Sequence, residues 1–145
     1  MPNQLTAPLV PLARLLFATI FVYYGPLNFN VMIPIAAKQG VPMANILVPI
    51  AGVMAIVGAL SVVLGVKARI GGLLLVLFLL PATFIMHAYW KLDGAAAQEQ
   101  FGNFIRNISL LGGALYICHF GAGPYSIDAL SDRSAARMSG SAART

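Results

Sequence analysis

The sequence predicts an all-α integral membrane protein: an antiparallel four-helix transmembrane bundle with both termini in the cytoplasm. Three observations carry this. The 145 residues are 59% hydrophobic and only 9% charged, whereas a soluble domain carries roughly 25% charged residues. Four apolar runs, at 9–24, 46–64, 70–89 and 101–120, meet or approach the length of about 17–25 residues that a spanning helix needs. Lys and Arg are also unevenly shared between the two ends of those runs. Arg14, Lys67, Arg69, Arg133, Arg137 and Arg144 fall at one end, and Lys38, Lys91 and Arg106 at the other. Excess Lys and Arg marks the cytoplasmic side, so the first and third loops should face outward. The mean hydropathy of +0.84 agrees. Residues 1–130 then form one four-span domain, and 131–145 a disordered cytoplasmic tail.

The first run carries Arg14 after Leu9, Val10 and Leu12 and ends in Tyr23 and Tyr24. A cleaved signal has its charge before the apolar core and small residues at its end, so this run reads as a retained helix. Pro11 suits a first helical turn, where its missing N–H is harmless. The loop that follows is long and weakly polar, and 31–37 within it reads as a short interfacial helix broken by Pro34. The second run carries Ala51, Ala55 and Ala59 at intervals of four, beside Gly52 and Gly58. Small residues at that spacing let helices approach closely in lipid. The seam serves either packing within the bundle or a homo-oligomer, and Ala55→Leu should damage the protein more than Ala114→Leu. The connection at 65–69 is so short that the second and third spans form an antiparallel hairpin. The segment 91–102 reads as a polar loop. Two glycines and a proline in GAGPY end the fourth run, and the small polar residues beyond 131 offer no core.

The polar residues that interrupt these runs are the candidate site. His87 and Trp90 are three apart at the outer end of the third span. Asn103, Arg106 and Asn107 are spaced i, i+3, i+4 and share a face of the fourth. Tyr23 and Tyr24 end the first span at the same level. Aromatic residues there act as interfacial anchors or line a ligand mouth, and His87 caps a helix or contacts a ligand. Arg106 is harder to assign a bland role. An ionisable residue inside an apolar run marks a functional site by default, because arginine costs about 2.5–3.5 kcal/mol at a helix centre and less near the interface.

Other chemistries are excluded. Cys118 is the single cysteine, and thiol–disulfide exchange needs a pair within reach. His119 lies at the opposite end of the membrane from His87, so the two cannot share a metal or haem. Cys118 and His119 are adjacent and point about 100° apart on a helix. No phosphate loop, dinucleotide fingerprint or carboxylate pair occurs, and no catalytic residue is assigned. The net charge of +5 is placed to meet anionic lipid heads rather than nucleic acid.

The order of these pieces resembles the DoxX family of small bacterial membrane proteins. The stretches that carry it are PLARLLFATIF with Gly25, GVP at 40–42, PIAGVMAIVGALSVVLGVKARIGGLLL, LFLLPATFIMHAYW, FIRNISLLGGALY and FGAGPYSID. The resemblance implies a bacterial inner-membrane, multi-pass protein associated with redox systems, as in thiosulfate–quinone oxidoreduction. It departs at Ala55, where that family carries glutamate, and at Asn28 and Phe29, where it often carries lysine. Two readings stay open ahead of a third, a small-solute pathway, which ranks last because the second and third spans offer so few polar residues. In one, His87, Arg106 and Asn107, under a lid of Tyr24 and Trp90 and beside Asn103, hold the head group of a quinone or similar lipid-soluble ligand. Electrons then come from a membrane or periplasmic redox partner, with no covalent cofactor and no metal. In the other, the chain is a non-catalytic accessory or assembly subunit of a membrane complex.

Overall fold

The computed structural model of the chain describes residues 7–24 and 29–142. Six α-helices and no strand occur among them: α1 (Leu9–Tyr24), α2 (Phe29–Lys38), α3 (Ala44–Leu64), α4 (Ala68–Pro81), α5 (Gly94–Phe120) and α6 (Ile127–Ala142). A π-helical turn (Ala82–Met86) and a 3-10 turn (Tyr89–Lys91) join α4 to α5. α3 packs chiefly on α4 and α4 on α5, while α1 and α2 both lean on α3.

The core is built from small residues, with the large ones outside. On α3, Ala55, Ala59 and Val62 are buried, as are Gly52 and Gly58. Ile46, Ile50, Val53, Val57, Leu60 and Leu64 form an exposed stripe on the same helix. α4 repeats the pattern, with Gly71, Gly72, Leu75 and Leu79 inward and Ile70, Leu73, Leu77 and Leu80 outward. Water would not tolerate such contiguous apolar faces, whereas hydrocarbon solvates them. Close backbone approach then becomes the way to gain contact between helices. A Cβ on Gly58 would lie 2.9 Å from the Gly71 carbonyl oxygen, and one on Gly72 would lie 3.0 Å from that of Ala114. The alanine stripe therefore packs inside its own chain. Ala114, at 0% exposure, is buried as deeply as Ala55 at 1%. The expected difference between their leucine substitutions gives way to two comparable overpacking sites.

Two helical stretches are long and apolar enough to cross a membrane, Ala44–Leu64 and Ala68–Lys91, and their apolar windows are only 28% and 33% buried. The core helix of a soluble protein would be mostly buried, so composition and exposure together make this a membrane protein. α1 falls short, since its 16 residues reach about 24 Å. In α5 the apolar run is diluted by Asn103, Arg106, Asn107 and His119.

The structure redraws three sequence-based boundaries. Most of 91–102 is helix rather than loop, because α5 starts at Gly94. Ala, Gln and Glu are strong helix formers, so the polar residues here do not end the helix. The short interfacial helix exists as α2 and runs through Pro34 instead of breaking there. The segment expected to be a disordered tail is helical to Ala142. The α3–α4 turn is as tight as its length implied. Gly65 caps α3 in the left-handed region (φ 65°) and Val66 N–H reaches back to the Ser61 carbonyl at 3.0 Å, a Schellman-type closure.

Candidate functional site

The polar groups gather at two ends of the helices. At the end that holds the α4–α5 connection, Pro81 removes a backbone donor from α4 and the chain widens into the π turn. Thr83, fully buried, donates its hydroxyl to the Leu79 carbonyl at 2.6 Å. His87 follows with non-helical φ −116° and ψ 41°. Its half-buried ring places Nδ1 2.7 Å from Gln100 Oε1. An amide oxygen only accepts, so in this arrangement Nδ1 is the donor when it carries the ring proton. Tyr89 stacks edge-on against Trp90, Phe101 and Phe104 at 5.2, 5.1 and 5.4 Å between centroids, which fixes the connection onto α5.

The expected site residues are only partly brought together. Gln100, Asn103 and Asn107 lie on the inward, half-buried face of α5, with His87 at its head. Trp90 packs on Phe104 at 5.9 Å with 53% of its surface exposed. Arg106 is exposed; its Nη1 donates to Asn103 Oδ1 at 3.0 Å. His87 and Arg106 thus hydrogen-bond to different partners, Gln100 and Asn103. The Tyr24 side chain lies outside the described residues; Tyr23 is exposed. Cys118 approaches α4 at Gly72, whereas His119 stacks on Phe120 at 4.6 Å, so the adjacent pair diverges.

Two cavities are lined by other residues. One, of about 210 Å³, is lined by Lys38, Gln39, Ile85, Met86, Ala88, Lys91 and Leu92. The other is a shallow apolar groove of about 390 Å³ beside α1, between Leu15, Tyr23 and Val63.

At the opposite end sits a group that sequence reasoning used only as a sidedness marker. Arg14 is 5% exposed, and its Nη2 donates to the Tyr125 carbonyl at 2.6 Å. Its Nε and Nη1 are buried without a hydrogen-bond partner. Asp128 lies nearby, its carboxylate oxygens accepting the Lys67 and Ala68 N–H groups at 2.7 and 3.0 Å. That carboxylate caps α4 from outside the helix, complementing its positive end. The Asp128 N–H in turn reaches the Gly65 carbonyl at 2.9 Å. Lys67 (φ 48°) and Tyr125 (φ 53°) are non-glycine residues held in the left-handed region, which costs about 1–3 kcal/mol each and marks an over-determined structure. The sequence signal was available: Arg14 inside an apolar run, and Asp128 three residues beyond the helix-ending GAGPY.

These features define an all-helical membrane protein with its polar groups gathered at the two ends of an otherwise apolar cluster. The chain belongs to the SURF4 family, which it matches over residues 17–133. It is 31% identical over 123 residues to the inner membrane protein YphA of Escherichia coli K12, covering 83% of this chain and 88% of that one. It is 34% identical over 92 residues to the Surfeit locus protein 4 homolog of Schizosaccharomyces pombe, covering 62% of this chain and 30% of that longer protein. No solved structure matches. The family match overturns the resemblance to DoxX proteins. The stretches that carried it are runs of Leu, Ile, Val, Ala and Gly that spanning helices share for physical reasons. The departure at Ala55 was the better guide: that position is 1% exposed in the core, where a glutamate would be buried.

Proposed function

We infer that the chain is a multi-pass inner-membrane protein, crossing four times with both termini cytoplasmic, and that it serves as a non-catalytic accessory subunit. Its α5 face around Arg106 holds a partner membrane protein. The observation that carries this reading is the outward position of Arg106, on a helix face it shares with Gly102 and Ser109, with Gly112 one turn beyond Ser109. Cβ atoms at Gly102 and Gly112 would meet nothing within 4 Å, so the face has room for a closely approaching helix. A guanidinium at this position has one amide partner and spare donors. A carboxylate or amide on a partner helix would satisfy them better than lipid does.

A quinone site receives less support from the geometry. It requires His87 and Arg106 to share one pocket, and they hydrogen-bond to different partners, Gln100 and Asn103. The membrane-embedded partner is tested by placing a photo-crosslinking amino acid at Ser109 and, as a lipid-facing control, at Val57. A discrete protein adduct from Ser109 that is lost in Arg106→Gln, with lipid adducts only from Val57, is the expected result. Lipid adducts alone from both positions would remove the reading.

A further inference from the structure

We propose that the cavity between α2 and the α4–α5 connection is a binding site for the phosphate of an anionic phospholipid, held by Lys38 and Lys91. The two lysines come from elements more than 50 positions apart and line one space of about 210 Å³. That volume is below the ~300–1,000 Å³ of sites that engulf a whole ligand, so it suits a head group whose chains remain in the bilayer.

Neither lysine is used by the fold. The last carbonyls of α2 are already satisfied by main-chain donors: Ile35 by Gln39 N–H, Ala36 by Val41 N–H and Ala37 by Gly40 N–H, all at 3.0–3.1 Å. Lys38 is therefore free of the capping work that cations at helix ends often perform. No ion pair involves either lysine among the described residues, and no acid lines the cavity. The nearest carboxylate in sequence, Asp93, opens α5 in extended conformation outside the lining. What remains is a cavity with two ammonium groups and no counter-charge.

Its walls and its depth select a lipid. Ile85 and Leu92 line it while 39% and 43% exposed, which offers an apolar path for acyl chains next to the charges. Trp90 and Tyr89 occupy the same 3-10 turn as Lys91, and such aromatics mark the head-group level of a bilayer. The floor is held in shape by Gln39, whose Nε2 donates to the Met86 carbonyl at 3.2 Å and ties the end of α2 to the π turn. Such π turns recur at functional sites because they re-aim the backbone.

The test uses the full chain in neutral detergent, titrated with phosphatidylglycerol or phosphatidylcholine and read by native mass spectrometry. Phosphatidylglycerol should bind and phosphatidylcholine should not compete. Each lysine is worth about fivefold toward an anionic lipid, so Lys38→Gln with Lys91→Gln should weaken binding about thirtyfold. Lys67→Gln with Arg69→Gln, at the other end, should change it by less than about twofold because screened, distant charges contribute little. Arg106→Gln should leave it unchanged, which separates this site from the partner face. Equal loss in both double variants, retention in the Lys38/Lys91 variant, or displacement of the lipid by millimolar inorganic phosphate would each overturn the proposal.

Discussion

Gly65→Ala should be among the most damaging single-methyl additions in the chain, and the reason can be worked out atom by atom. Gly65 sits at φ +65°, and a Cβ there would collide with Arg14 Nη1 and Ser126 Cβ and approach Ala122 Cβ at 3.1 Å. A side chain in the left-handed region costs about 1–2 kcal/mol. Arg14 Nη1 belongs to a flexible side chain, but that side chain is 5% exposed and anchored on Tyr125. Ser126 cannot retreat, because its hydroxyl donates to the Gly123 carbonyl and accepts from Ala129 N–H. Overpacking of that kind adds about 1–3 kcal/mol, giving a total loss of about 2–5 kcal/mol. Gly40 supplies the control: its φ is +87° with nothing within 4 Å, so Gly40→Ala should lose only the conformational part, about 1–2 kcal/mol. Unfolding of the two purified variants in mixed micelles by SDS titration measures the difference. Equal losses would show that the Arg14 end yields easily and that its buried contacts are not tightly packed.

Asp128→Ala removes the acceptor for two N–H groups at the start of α4. It should cost about 1–2 kcal/mol, as loss of a helix cap does; unchanged hydrogen exchange at Lys67 and Ala68 would contradict that. Gly112→Ala meets open space and should raise stability by about 0.5–1 kcal/mol in detergent through helix propensity. The same change should weaken the Ser109 crosslink in membranes if a partner helix approaches there. Gln98→Cys, exposed on α5, should react with an impermeant thiol reagent from outside the cell. Labelling only after the inner face is opened would reverse the proposed orientation.

Much of this architecture was legible because its cause is local. The apolar runs, the tight 65–69 connection and the helix stop at GAGPY each follow from composition or from a glycine where the chain must turn. What was not legible depends on partners far apart in sequence. Arg14 reads as one more cytoplasmic charge until the structure sets it against Tyr125 and Asp128, more than a hundred residues away. His87 and Arg106 looked like a pair because periodicity places residues on a face but cannot say which edge turns inward. A single step along the helix, from Arg106 to Asn107, separates an exposed side chain from a half-buried one. Gln100 was overlooked because it lay in what read as a loop, and it became the partner of His87 only when α5 began at Gly94.

The two ends treat their cations differently, and that difference directs binding to one of them. At the Arg14 end one cation, Arg14, is tied into the fold, whereas Lys67, Arg69 and Arg133 are exposed. Arg14 is buried on a carbonyl with Asp128 nearby, and Arg69 lies over Gly121, where an added Cβ would be 3.5 Å from its Nε. Occupying Arg14 with a ligand would compete with the contact that ties α1 to the turn before α6. At the other end Lys38, Lys91 and Arg106 are exposed and none pairs with a carboxylate among the described residues. Charge left uncompensated near hydrocarbon has a cost that a bound anion can offset. Neutralising Lys38, Lys91 and Arg106 should therefore affect association with lipid or partner while leaving unfolding almost unchanged. Arg14→Gln should do the reverse, lowering stability with lipid binding per folded molecule preserved. Finding stability lost at the Lys38 end and binding lost at the Arg14 end would show that the roles of the two ends have been assigned the wrong way round.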